Sequence, residues 1–221
     1  MGAMKRALIT GASRGIGRAI AEELAKDHHI IAGASTDASE VLRALPSAEP
    51  FEVDLRDIAA LQRAASDIDE LDVLVHAAGV LHKAPFEELD ASQWRESFQV
   101  NVLAPVALTR ALLPALRRSR GIILTLNSGA GLFGVEENSA YCASKFALRG
   151  FTDSLRLEER GRVRVTSLHP GRTDTDMIAD PKHGERPKMD PVSVARAARL
   201  AIDAGPDATV EFLRIAPSGL E

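Results

Sequence analysis

Short apolar runs alternate with amphipathic stretches along this chain. RALIT (6–10) is continuously apolar enough at its end to read as a buried strand, and GIGRAIAEELAKD (15–27) places Ile16, Ile20 and Leu24 on one helical face. The alternation continues with a strand HIIAGA (29–34), a short helix from about Asp37 to Leu45, and a strand FEV (51–53). DIAALQRAASDI (57–68) reads as a helix capped by Asp57, DVLVHA (72–77) as a strand, and about Ser92 to Arg117 as a long helical segment. The second half gives a strand GIILTLN (121–127), a helix over about 139–160, a strand VRVTSLH (163–169), a helix PVSVARAARLAIDA (191–204) and a last strand TVEFLRI (209–215). Apolar strands that each feed a helix predict a parallel sheet covered on both faces. Seven strands and six intervening helical segments predict a doubly wound α/β/α sandwich, whose ligands gather beyond the carboxyl ends of the strands.

Length and charge narrow the class. A chain of 221 residues is expected to form one domain over 1–221, and the one linker-like stretch is DMIADPKHGERPKMD (176–190), polar and aperiodic, which reads as a substrate loop. The formal net charge of −4 argues against a nucleic-acid partner. Apolar runs such as IILTL (122–126) are too short to span a bilayer, so no membrane partner is expected. The opening MGAMKRALITGAS lacks a signal-peptide core, and the single cysteine, Cys142, excludes an internal disulfide; both fit a cytoplasmic protein. The six histidines show no HxxxH or HxH spacing, so no metal site is expected.

Two stretches carry candidate chemistry. TGASRGIG (10–17) follows the first strand and opens the first helix. There Gly11 permits a tight turn, Gly15 lets backbone approach a phosphate, Gly17 allows close helix–strand packing, and the helix N-terminus offers free N–H groups to a pyrophosphate. SAYCASK (139–145) holds the chain's only tyrosine, with Lys145 four places on and so on the same helical face. A free phenol, pKa about 10, is a poor base at neutral pH; a neighbouring ammonium is expected to lower it and let Tyr141 exchange a proton with a carbonyl or alcohol oxygen. Ser128 lies at a strand end, 13 positions before Tyr141, where its hydroxyl can polarise that oxygen.

With the strand–loop–helix context, the chain resembles the short-chain dehydrogenase/reductase family, which carries a TGxxxGxG loop. Further motifs follow in family order: VDL (53–55), HAAG (76–79) in place of NNAG or NAAG, VNV (100–102), LNSGAG (126–131), YCASK (141–145) as YxxxK, and HPGRTDT (169–175) near PGxVxT. The resemblance implies a Rossmann-type fold and a catalytic set of Asn101, Ser128, Tyr141 and Lys145. It implies that Lys145 also contacts the nicotinamide ribose and that Asn101 holds a water relaying protons between Lys145 and solvent. Implied cofactor contacts are Gly11, Ser13, Arg14, Gly15, Ile16 and Gly17 in the loop, then Asp54, Leu55, Ala77, Ala78 and Gly79, and finally Tyr141, Lys145, Pro170, Gly171, Thr173 and Thr175. It also implies a homodimer or homotetramer, since family dimers pair the long helices, here about 92–117 and 139–160.

The second strand ends Gly33-Ala34-Ser35-Thr36, without the acidic residue that binds an NAD ribose. A 2′-phosphate meets no repulsion there; Ser35 and Thr36 offer hydrogen bonds and Arg14 offers charge. NADP(H) is therefore favoured over NAD(H), with Asp37 the residue that would support the opposite choice. The expected activity is hydride transfer between NADP(H) and a small-molecule carbonyl or secondary alcohol. The alternatives are an NAD(H)-preferring dehydrogenase, a non-catalytic NADP(H)-binding sensor, and a dehydratase or epimerase on the same fold. His76, standing where the family has asparagine, is expected to be tolerated.

Overall fold

The computed structural model describes residues 4–178, 186–205 and 207–219. Strands β1 (Lys5–Thr10), β2 (His28–Ala34), β3 (Ala48–Glu52), β4 (Val73–His76), β5 (Ile122–Leu126), β6 (Arg164–Pro170) and β7 (Phe212–Ile215) form one parallel sheet ordered β3-β2-β1-β4-β5-β6-β7. Helices α1 (Gly15–Leu24), α2 (Ser39–Ala44), α3 (Ile58–Ser66), α4 (Ala91–Phe98), α5 (Ala104–Ser119), α6 (Ser139–Glu158) and α7 (Pro191–Asp203) supply the crossovers and cover both faces. This is the doubly wound, Rossmann-type sandwich that the alternating pattern predicts.

The pleat explains the strand composition. Successive side chains point to opposite faces, so Ala7 and Ile9 pack with Ile20 and Leu24 of α1 and Val194 and Ala198 of α7. Leu8, between them, packs on the other side with Leu61 of α3 and Leu108, Leu112 and Leu116 of α5. A central strand buried on both sides must be apolar at every position. The edges relax this rule: β7 has no fully buried residue, and in β3 only Phe51 is buried.

Caps set the helix limits. The Asp57 carboxylate accepts the Ala60 N–H at 2.9 Å, as the sequence predicts. Asp90 and Gln93 close a capping box on α4. Helix α1 ends at Leu24, short of the expected Asp27, because the chain turns into β2 and Asp27 instead pairs with Arg199 of α7 at 2.7 Å.

The long segment near 92–117 is not one regular helix. A single π turn, Gln99–Leu103, joins α4 to α5 and places Asn101 in its middle. By length and composition, Ala91–Ser119 is apolar enough to cross a bilayer, which the short strand runs did not reveal. Here half of its most apolar stretch is buried, with α5 laid against the sheet as a core helix.

From β1 the chain winds outward to β3, then crosses back to β4 and winds the other way. The crossovers diverge between β1 and β4, and the resulting crevice opens beyond Thr10 and His76, which are paired in register.

Candidate active site

That crevice is a cavity of about 720 Å³. Every residue expected at the cofactor lines it except Thr36, which the bend after β2 turns out to solvent. Ser128, Tyr141 and Lys145 line the same cavity, whereas Asn101 sits behind its wall.

The glycine loop is shaped as its sequence demands. Gly11 has φ +68°, a conformation costly for any residue with a side chain. A Cβ on Gly17 would stand 2.2 Å from the Gly11 carbonyl oxygen, so only glycine lets α1 start this close to β1. The N-terminus of α1 has no side-chain cap, which leaves its first-turn N–H groups for an anion. Thr10, not singled out from the sequence, ties this loop to its neighbour: its hydroxyl accepts from Ala77 N at 3.1 Å and Ala78 N at 3.2 Å.

Charged groups ring the mouth. The Arg14 side chain is 79% exposed, and its guanidinium lies 3.8 Å from Asp176. Asp37 is exposed and turned onto the Ser39 N–H at 2.7 Å, and the Ser39 hydroxyl first and this N–H second hold its carboxyl below the usual range. Asp54 is gripped by Arg56 at 2.8–3.0 Å, Arg56 reaches Glu96 at 3.5 Å, and Glu96 meets His82 at 3.0 Å. Arg56, Glu96 and His82 all line the cavity and were not legible in the sequence, because three separate segments bring them together. Of the expected substrate loop, 176–178 form a short turn and Asp174 N–H donates to the Met189 carbonyl at 2.8 Å; 179–185 lie outside the described residues.

At the inner end, β5 delivers Ser128 and α6 delivers Tyr141 and Lys145. The Ser128 hydroxyl accepts the Ala130 N–H at 3.1 Å and draws the pKa of the Tyr141 phenol down. Lys145 is buried, and its ammonium donates to the Leu126 carbonyl at 2.9 Å. Its Nζ lies over the Tyr141 ring, 5.6 Å from the ring centre. Burial lowers the Lys145 pKa to about 8.

The phenol corrects one expectation. Lys145 does not bring Tyr141 below its ordinary value here; desolvation pushes the phenol up to about 12, and Ser128 is the group pulling it down. The physical reason is placement, since the ammonium is spent on a carbonyl and faces the ring rather than the hydroxyl.

Asn101 braces the site from the π turn. Its Oδ1 accepts from Val80 N at 2.9 Å, and its Nδ2 donates to the Val80 carbonyl and to Ser144 Oγ, both at 3.0 Å. Ser144 in turn donates to the Tyr141 carbonyl at 2.7 Å. One asparagine thus links the strand end after β4 to the helix that carries Tyr141. His76 is buried, contacts Thr109 Oγ1 through Nε2 at 2.8 Å, and is held neutral by desolvation, with a pKa of about 3. No group of three or more metal-ligating side chains occurs among the described residues.

Comparison with known proteins agrees with this geometry. Residues 5–186 match the family model described as short chain dehydrogenase. An uncharacterized oxidoreductase of Staphylococcus saprophyticus is 30% identical over 96% of this chain and 97% of its own length. An alcohol dehydrogenase of the archaeon Thermococcus sibiricus, complexed with 5-hydroxy-NADP, superposes with a TM-score of 0.88 at 26% identity, covering 99% of each chain. A metagenomic short-chain oxidoreductase in complex with NADP gives a TM-score of 0.83 at 28% identity over 98% of each chain.

Proposed function

The chain belongs to the short-chain dehydrogenase family, and we propose that it transfers a hydride between NADP(H) and a carbonyl or secondary-alcohol substrate, with Tyr141 as the general acid/base. The observation that carries this reading is the convergence of Ser128, Tyr141 and Lys145 on the cavity walled by the glycine loop.

The residues present fit a dinucleotide. Uncapped N–H groups at the start of α1 suit a pyrophosphate, and the glycine turn leaves backbone rather than side chain at that wall. The bound nicotinamide would supply or accept the hydride. Arg14 favours the 2′-phosphate form, because its guanidinium is solvent-exposed with only a loose ion pair to Asp176. Asp37 offers no competing ribose contact while its carboxylate caps Ser39. The NADP-bound structural relatives support the same choice.

The proton steps follow from the side chains. With its pKa raised, Tyr141 is protonated at neutral pH and holds its proton ready for a carbonyl oxygen. Ser128 lines the same cavity, and its hydroxyl orients the same oxygen. Lys145 keeps a positive charge beneath the ring and is the proposed ribose anchor. Asn101 fixes the Val80 backbone and Ser144; the relay through a water at Asn101 rests on the family resemblance. Leu103, Phe146 and Leu157 are exposed on the π turn and α6, which supports pairing of these helices in a homodimer.

A panel of ketones and aldehydes, followed through NADPH absorbance, tests the activity. Oxidation of NADPH with at least one of them is expected. Tight NADPH binding without turnover of any would favour the sensor, the alternative on the same fold.

A further inference from the structure

Ser128 is the residue of the catalytic set whose backbone is held by side chains on both sides. Its N–H donates to Asn127 Oδ1 at 3.0 Å. Its carbonyl oxygen lies 3.0 Å from His169 Nδ1. That carbonyl can only accept, so Nδ1 carries the proton. The other ring nitrogen, Nε2, then accepts from the Ser167 hydroxyl at 2.7 Å.

His169 is completely buried at the end of β6, and its ring packs on Phe212 with centroids 4.4 Å apart. Both nitrogens and one face are therefore committed, and the tautomer has no freedom. Desolvation holds the ring below the ordinary histidine pKa, which keeps it neutral. The imidazole lines neither the hydride path nor the substrate oxygen, since it does not reach the cavity wall. Its hydrogen bond to the proposed catalytic set is the one to the Ser128 carbonyl.

We propose that His169 is a positioning residue for Ser128: its Nδ1–H pins the Ser128 carbonyl, and so sets the direction of the Ser128 hydroxyl toward Tyr141. This extended residue (φ −165°, ψ 162°) lies between β5 and the Gly129–Gly131 turn, beyond the last sheet pairing of β5. The Gly131 N–H also donates to this carbonyl at 3.0 Å and the Ala130 N–H to the hydroxyl at 3.1 Å, so loss of the imidazole removes one of the carbonyl's two donors, lets the peptide plane tilt and turns the hydroxyl away from the phenol. The inference rests on the assignment of Ser128 and Tyr141 as the reacting pair.

The chain's sole tyrosine makes the test direct. Protein labelled with 13C at tyrosine Cζ gives one resonance, which reports the hydrogen bonding of Tyr141 without substrate or cofactor. Ser128→Ala marks the position of that resonance when the serine contact is lost. His169→Asn keeps an N–H two bonds beyond Cβ, at the place of Nδ1. His169→Gln moves it out toward Ser167, and His169→Leu removes it. We expect His169→Asn to keep the wild-type resonance and a kcat within about threefold, while the Gln and Leu variants take the Ser128→Ala resonance and lose about tenfold or more in kcat with unchanged NADPH Kd. A wild-type resonance in a folded Gln or Leu variant overturns the proposal. So does a His169→Asn variant as impaired as the other two, which would mark the ring as packing only. On the unaltered protein, 15N-histidine spectra must show His169 as the Nδ1–H tautomer; the Nε2–H form overturns it equally. If the wild type turned over no carbonyl, the oxidoreductase reading would fail while the resonances still decided the role of His169.

Discussion

Lys145 Nζ sits 5.6 Å from the centre of the Tyr141 ring and donates to the Leu126 carbonyl at 2.9 Å. The pair is one helical turn apart, yet the ammonium meets the ring face, and burial leaves the phenol protonated. A protonated phenol is the state that the proposed proton-donor role of Tyr141 requires. Tyr141→Phe keeps the ring and removes the proton. Steady-state assays on a competent carbonyl should show kcat reduced about 10²- to 10⁴-fold, with NADPH binding by fluorescence titration unchanged. Wild-type turnover in this variant would refute the assignment.

Arg14 is the cation of the glycine loop, weakly held by Asp176 at 3.8 Å. The wild type should prefer NADPH over NADH by about tenfold or more in kcat/KM, the equivalent of ~1.4 kcal/mol. Arg14→Ala should erode that ratio by raising KM for NADPH and leaving NADH nearly untouched. Equal use of both cofactors by the wild type would reject the NADP(H) preference.

His76 titrates near pH 3 in the folded chain because it is buried, against an ordinary value of 6.5. The unfolded chain binds this proton first as pH falls, so the native state loses stability from about pH 6.5 down to about pH 3, and nothing from this group above that window. His76→Gln can keep the Thr109 contact without the titration. Thermal unfolding from pH 7 to 4 should show a shallower acid-side fall in Tm for the variant. Parallel curves would show that His76 is not the source.

Gly17→Ala adds a methyl 2.2 Å from the Gly11 carbonyl oxygen, and backbone on both sides cannot yield cheaply. A loss of about 1–3 kcal/mol is expected from such overpacking, read as a fall in Tm of several degrees. NADPH affinity should fall with it, because the start of α1 must move. An unchanged Tm would mean that the loop adjusts without cost.

The strand–helix alternation, the Asp57 cap, the glycine loop and the order of the motifs were all readable from residues alone. Each depends on local periodicity or on a residue type that one backbone conformation requires: Gly11 at φ +68° is an example. Contacts across the sheet were not readable. The π turn at Asn101 cannot be read from a helical pattern, because one extra residue in a turn leaves the apolar spacing nearly intact. Nor does sequence distance reveal that Arg56 and His82 meet at Glu96, or that His169 meets the Ser128 carbonyl 41 positions away.

The sequence by itself therefore determined the layered fold and the family motifs from which the catalytic set is proposed, because both are written in local patterns. Tertiary structure alone decided the state of those side chains. Burial raised the Tyr141 phenol and lowered Lys145, and Leu126 claimed the ammonium. Thr36 was turned to solvent while Ser35 stayed on the wall. Desolvation and hydrogen-bond geometry depend on what surrounds a group in space, and only the packed sheet and helices supply that.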